Sequence, residues 1–543
     1  MLNRRHVLTA SLTAIGLGLA LFAAMGSLLW PLADDQEIFV WDGEVISGGG
    51  VPYRDVWDTK GPLVFYAFAS ATWLFGDNEM AIRVLDLAAM FGCCWLLRKF
   101  VLRVNGNDAF GATLAVTFYA LAYYGWWIST PAQPDGWAAA LILVAVMLLT
   151  ERTQSVFRAM TAAGAAIAIA TLLKPLYLIF MALPLLLPPS NSVPLRLIFP
   201  RLACVAVFCA IVLVSMLALS MAGGLADYMD ILRFLFSTHV PRAHKQNALE
   251  LTCLQLWSLR LFIPLLLAPI GLWAMREINT SHEVSLMVAW LLLSLSSIIV
   301  QGWNFDYHWL PVSLALAPIL GCFFSWLKSK SETPQNLSVK TGVLILVWLA
   351  VIAPLFTEAL LHSYMWPGYL LGKRTREQFM RQLTAPWNYW DLERVSEYVE
   401  QRSEPGDFIL VWGWDPLINI RAARRPPTRF AFSYPVVAQS PLQSKYRRIF
   451  LCDLLLHPPK YIVVDARGQW AMLDHSGTEY MREFPRFQRF VYDRYEMVLS
   501  INNFDIFLLT AREARKARDS DVDDRCRERR RTAATYTTTG RDF

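Results

Sequence analysis

Charge is scarce in this chain. Asp, Glu, Lys and Arg make up 17% of its 543 residues, and the deficit is filled by apolar side chains at 55% with a mean hydropathy of +0.35. Soluble domains carry about 25% charged and roughly 45–50% apolar residues, so the apolar excess must be buried in something other than one globular core. Cysteine offers no framework. Cys93, Cys94, Cys204, Cys209 and Cys322 sit in apolar blocks and, of the eight cysteines, Cys452 alone falls in the later polar domain before the charged tail, which supports neither a disulfide scaffold nor a zinc pattern. There is no P-loop, no Rossmann glycine fingerprint and no Asp-x-Asp in a soluble nucleotide-binding unit. No internal repeat is visible. The net charge of +6 is modest and gives no case for nucleic-acid binding, because its distribution has another explanation.

What is present is a series of apolar blocks, each about the 20 residues that cross the hydrocarbon of a bilayer as a helix. Lipid cannot satisfy open backbone groups, and blocks this long without period-2 alternation are helices. Spans are expected near 8–30, 81–102, 109–127, 136–150, 159–173, 175–189, 202–222, 254–275, 284–301, 309–327 and 341–360. The first follows Arg4 and Arg5 but is too long for a signal core, so it reads as a retained span. Basic residues gather in every second short loop, at Arg98, Lys99 and Arg103, at Arg152 and Arg158, at Arg196 and Arg201, at Arg276, and at Lys328, Lys330 and Lys340. By the positive-inside rule these loops are cytoplasmic. The acidic segment Asp34 to Glu79 then lies outside. Eleven spans from an inside start also put the far end outside; were Lys174-Pro175 not a hairpin, the tail would be cytoplasmic.

The expected architecture is a polytopic α-helical membrane domain (1–360, with 31–80 as the first outside loop), a soluble α/β domain (361–510) and a disordered basic tail (511–543). In the soluble part, Asp391 to Arg402 has helical spacing, while Phe408 to Trp412, Lys460 to Asp465, Phe490 to Leu499 and Asp505 to Leu509 suggest strands.

Candidate chemistry gathers in the outside loops. Asp34 and Asp35 directly follow the first span, and like charges so close raise one pKa toward that of a usable base. The competing reading is a capped helix N-terminus, where Asp is equally at home. Lys60, between the acidic stretch and an apolar segment Pro62 to Phe75, is placed for a lipid phosphate or for snorkelling. Asp135 follows Gln133-Pro134 at the start of a span, Lys174 stands at a helix break, and His239 and Arg242 lie in an aromatic-rich stretch where Arg suits phosphate. Tyr307 and His308 precede a late span, where aromatics also form the interfacial belt.

In order, Asp34-Asp35, Gly49-Gly50-Val51-Pro52-Tyr53-Arg54-Asp55, Lys60-Gly61-Pro62, Leu74-Phe75-Gly76 and Arg83 resemble the C-type (GT-C) membrane glycosyltransferases, in particular the group of protein O-mannosyltransferases and lipid A aminoarabinose transferases. The span count and the outer soluble unit are similar too. The chain departs in having Asp-Asp where relatives often have Asp-Glu, and Thr59 where the aminoarabinose enzymes have Glu. The second departure takes away a metal ligand, so neither a metal site nor a cofactor is expected, with a divalent ion left open.

The resemblance implies an enzyme of the cytoplasmic (inner) membrane, its active site facing the periplasm or exterior. It would move a sugar from a polyprenyl-phosphate donor to a lipid, glycan or protein acceptor by inverting single displacement. Asp34, with Asp35 as runner-up, would be the base; Lys60, Arg242, His239 and Lys174 would hold the donor phosphate; Tyr53, Asp135, Tyr307 and His308 would line the pocket. The alternative from another class is a transporter or lipid flippase. Against it, the charges concentrate in outside loops rather than mid-span.

Overall fold

The computed structural model describes residues 2–76, 78–151, 155–187, 197–245, 259–279, 281–331, 337–384, 389–468 and 473–511. The expected disordered tail therefore lies, from residue 512, outside the described residues. The protein is a polytopic α-helical membrane protein with a small C-terminal sheet. Its membrane part contains α1 (Leu2–Ser27), α2 (Asp35–Ser47), α3 (Pro62–Phe75), α4 (Glu79–Val104), α5 (Ala109–Gly125), α6 (Pro134–Leu149) and α7 (Val156–Leu173). A 3₁₀ stretch, Pro175–Met181, leads into α8 (Ala182–Leu186), followed by α9 (Ile198–Met221), α10 (Leu225–Phe234) and α11 (Val240–Lys245). The last four are α12 (Leu259–Arg276), α13 (Ser281–Gln301), α14 (Leu310–Ser331) and α15 (Leu337–Ser363).

Among the described residues, seven helices are long and apolar enough to cross a membrane, and each coincides with an expected span. The other four expected spans are also helical but shorter or interrupted. Helices α5 and α6 have 17 and 16 residues and are sheathed by their neighbours, while α12 carries Pro264 and Pro269. Close approach at the centre is made possible by glycine. A Cβ on Gly111 of α5 would stand 2.3 Å from the Gly321 carbonyl oxygen of α14, the small-residue contact by which membrane helices pack.

A 3₁₀ stretch follows α7 directly at the Lys174-Pro175 break. The ends of α7 and α9 both meet the first outside loop, because the Gly61 N–H donates to the Leu173 carbonyl at 3.0 Å and Arg54 donates to the Ala222 carbonyl at 3.2 Å. With 24 residues, α9 is about 36 Å long at 1.5 Å per residue.

The C-terminal unit, expected to be the outer one, begins with α16 (Trp366–Leu370), α17 (Arg376–Leu383) and α18 (Tyr389–Glu400). Its sheet has the order β1-β2-β4-β3, with β1 (Ile409–Trp412) parallel to β2 (Tyr461–Asp465), and β4 (Phe504–Leu509) antiparallel to both β2 and β3 (Tyr495–Ile501). β1 and β2 are buried along their whole length, as their unbroken apolar runs require. The third strand starts later than expected, because Pro485–Arg494 is helical. Phe487, Phe490 and Val491 are its buried residues, an i, i+3, i+4 stripe whose aromatics resemble a strand on composition alone. Trp412 and Trp414 are core residues here. Trp412 is fully buried against Phe487 and Phe450 and donates to the Gly477 carbonyl, and Trp414 packs on Phe432 and Tyr434.

Candidate active site

The turn between α1 and α2 is held from below by Arg83. Its guanidinium donates to the Pro31 carbonyl at 2.6 Å and to Gln36 Oε1 at 2.7 Å, while the Gln36 amide donates to the Ile128 and Pro131 carbonyls. Asp34 has a φ of 53° and a ψ of −126°, a positive-φ conformation outside the left-handed helical region that residues other than glycine rarely adopt. It occupies the N-cap position of α2, yet its side chain makes no capping bond. That separates the two readings of the dipeptide. The carboxylate points elsewhere, keeping an open face although it lies deep among protein atoms, so it lines a recess. Burial drives its pKa up to about 6; a hydrogen bond with Ser129 pulls against this, and the charges of Asp35 and Asp306 add to it.

Asp35 has the opposite environment. Its Oδ2 accepts from Lys60 Nζ at 3.1 Å and from the Tyr307 hydroxyl at 2.9 Å. Burial alone would raise this carboxyl, but the charge and hydrogen bond of Lys60, with help from Tyr307 and Lys174, hold it below its ordinary value. Burial likewise opposes the charge on Lys60, and Asp35 and Asp58 overcome it, so Lys60 stays a cation.

A second ion pair lies beside the first. Lys174 Nζ donates to both oxygens of Asp135 at 3.0 and 2.8 Å, and Tyr177 donates to the Asp135 carbonyl at 3.0 Å. The two lysines meet because of Gly61. A Cβ there would fall 2.1 Å from the Leu172 carbonyl oxygen, so only glycine lets the Lys60 turn press against the last turn of α7, next to Lys174. Tyr53 sits beneath that turn, fully buried with a φ of 68°, and donates to the Lys60 carbonyl at 2.8 Å. Tyr307 bridges the pairs: its hydroxyl is on Asp35 and its ring centroid is 5.7 Å from Lys174 Nζ. The ring of His308 packs edge-on against Tyr307 at 4.7 Å.

His239 joins this wall and Arg242 stands apart from it. The ring of His239 is in hydrogen-bond contact with the Tyr434 hydroxyl at 3.2 Å. Burial, reinforced by the positive charges of Lys60 and Lys174, brings its pKa down to about 3, so it presents a neutral imidazole. Arg242 donates to Asp474 of the outer unit at 2.7 Å, and its Nε is buried without a hydrogen-bond partner among the described residues.

The outer unit closes over these groups through contacts that sequence reasoning missed. Glu37 accepts from the Leu417 N–H at 3.1 Å, Arg421 pairs with Glu79 at 2.6 Å, and Arg429 donates to the carbonyls of Tyr53 and Arg54 and to Asp227. Asp415 projects toward the acidic side, where burial and the charges of Asp465 and Asp34 raise its pKa. Nothing in the spacing of Glu37, Ser129 or Asp415 marks them, since each acts on a residue far away in the chain. Among the described residues no group of three or more His, Cys, Asp or Glu is arranged to hold a metal ion.

Fold and site together describe a membrane helix bundle with an acidic and a basic wall facing one recess under a sheet-bearing cap. No family profile and no curated protein matches the sequence. Solved structures do. The chain is similar to ArnT from Cupriavidus metallidurans bound to undecaprenyl phosphate, with a TM-score of 0.56 and 14% identity over 92% of this chain and 98% of that one. This likeness over nearly the full length of both chains establishes the fold. Weaker likenesses are found to the mycobacterial arabinofuranosyltransferase AftD, with a TM-score of 0.46, 14% identity and coverage of 93% of this chain and 40% of that one. The oligosaccharyltransferase AglB from Archaeoglobus fulgidus, in complex with an inhibitory peptide and a dolichol-phosphate, has a TM-score of 0.44 and 12% identity over 82% and 69% of the two chains.

Proposed function

We propose that the protein is a GT-C-type membrane glycosyltransferase that moves a sugar from a polyprenyl-phosphate carrier to an envelope acceptor. The observation that carries this reading is the division of labour within Asp34-Asp35: one carboxylate uncapped, open to the recess and raised to about 6, its neighbour locked to Lys60 and Tyr307. A base with a pKa near the working pH and a pair of buried cations for a phosphate are the two things such a transfer needs. The undecaprenyl phosphate bound to ArnT, a protein of the same fold, supports the donor class.

In the proposed step Asp34 takes the proton of the acceptor hydroxyl or amine. The acceptor forms a bond to the anomeric carbon as the bond from that carbon to the phosphate oxygen breaks, with inversion, and the polyprenyl phosphate leaves with the electron pair. Lys60 and Lys174 stabilise its growing negative charge, and the neutral ring of His239 can donate one hydrogen bond. Arg242 is a phosphate ligand only after exchanging Asp474 for the donor. Tyr307 and His308 shape the pocket, and Tyr53 and Asp135 position the two lysines. The positive-inside pattern supports an outer side for the cap and an inner-membrane location.

The test is transfer of radiolabelled sugar from extracted polyprenyl-linked donors to membrane acceptors by purified protein in vesicles. Asp34→Asn is expected to remove transfer at equal protein level, a loss of about 10² to 10⁴ for a missing base. Wild-type transfer by that variant removes Asp34 from the mechanism, and movement of carrier lipid without a new glycosidic bond assigns the protein to transport.

A further inference from the structure

A second basic site lies away from the recess, where the last membrane helix gives way to the outer unit. The span that includes α15 runs from Lys340 to Leu370, and just beyond it a cleft of about 840 Å³ opens between α16 and α17. It is lined by Tyr364, Gly368, Lys373, Arg374, Arg381 and Gln382 among others. Arg381 is paired with Glu377 at 2.8 Å. Lys373 and Arg374 have no carboxylate within ion-pair distance among the described residues; Arg374 touches only the Gln382 amide oxygen at 3.4 Å and the face of Tyr364 at 5.9 Å. The guanidinium lies close over Gly368, where an added Cβ would stand 3.2 Å from Arg374 Nε. Tyr364 and Gln382 are hydrogen-bonded across the mouth. Trp366 packs at a tilt on Phe22 of α1, with ring centroids 5.2 Å apart, which sets the cleft beside the bundle.

Beside these cations the chain leaves apolar side chains uncovered: Leu361 at 56%, Leu370 at 61% and Leu371 at 69% exposure. Cations next to exposed leucines and a tyrosine at the end of a span match the boundary between headgroups and hydrocarbon. We propose that this cleft binds the phosphate of an anionic membrane lipid, at headgroup level in the leaflet that the outer unit faces. Arg374 offers its fork and Lys373 a point charge to the phosphate, while the leucines meet the acyl chains. A free phosphate ion would use the cations and leave the leucines bare, so the site is assigned to a lipid. None of its residues belongs to the recess.

The experiment is native mass spectrometry of the full-length protein in detergent, titrated with phosphatidylglycerol or phosphatidylcholine. Wild type is expected to retain phosphatidylglycerol about tenfold more tightly, as two basic residues at a membrane surface imply. Lys373→Gln with Arg374→Gln should erase that preference, and Glu377→Gln, which removes the carboxylate paired with Arg381 at the cleft, should increase it. Lys373 and Glu377 are exposed and Arg374 is half-buried, so all the variants are expected to fold, which an unchanged thermal midpoint checks. Equal retention of the two lipids by wild type, or an unchanged preference in the double variant, overturns the proposal. Displacement of the lipid by an equal concentration of inorganic phosphate assigns the cleft to free phosphate and overturns it as well.

Discussion

The two walls of the recess are built from the same residue types and behave in opposite ways. On the basic wall every charge has a partner of opposite sign: Lys60 with Asp35, Lys174 with Asp135. On the acidic wall Asp34 looks toward Asp306 and Asp415 and is raised above its ordinary value, and Asp415 is raised likewise. The lesson is that adjacent aspartates can be an anchored anion and a free base at once, because a buried carboxylate's pKa follows its immediate partners rather than its place in the chain.

The largest effect after loss of Asp34 is expected on the basic wall. Lys60→Ala and Lys174→Ala should each cost transfer about 2 to 4 kcal/mol, as lost donors to a developing anion do, seen as a fall in kcat/KM for the polyprenyl donor. Wild-type values for both would leave the basic wall without a catalytic part.

Stability should divide the same two neighbours. Asp34 has a folded pKa above its unfolded value, so its ionisation costs folding free energy as pH rises through about 6. Asp34→Asn is therefore expected to raise the thermal midpoint at pH 7 to 8, a gain that shrinks as pH falls from about 6 toward 4 and vanishes below about pH 3, where the carboxyl is protonated in both states. Asp35 is depressed and contributes stability above its unfolded pKa, lost as pH falls through its folded value. Asp35→Asn should lower the midpoint at neutral pH by about 3 kcal/mol of stability, since it strands a buried lysine, and the deficit should shrink in acid. Shifts of the same sign in the two variants at pH 7.5 would break the contrast.

How much of this was legible in the sequence follows from where the residues sit. Asp34, Asp35, Lys60, Asp135 and Lys174 stand out because each is a charge at the edge of an apolar block. Their pairing was not legible, because Lys60 reaches Lys174 only through the contact of Gly61 with Leu172 and Leu173, more than a hundred residues away. The like-charge argument for a raised carboxyl gives only part of the cause at Asp34, since burial comes first and Asp35 adds less. The helices were readable from apolar run length, whereas the shift of β3 was not, because Phe487, Phe490 and Val491 suit a helix stripe or a strand about equally.

The smallest expected effect lies at the rim. Asp474 is largely exposed where it meets Arg242, so Asp474→Ala should change stability by less than about 1 kcal/mol. A larger loss would make the Arg242 contact a fastener of the cap.

The central claim, that Asp34 is the base, is tested most directly by the pH dependence of transfer. The account predicts a wild-type rate that rises with pH around a midpoint of about 6 and then levels, and an Asp34→Asn residual rate without that step. A wild-type profile flat from pH 5 to 7.5, or the same midpoint retained in Asp34→Asn, would contradict it.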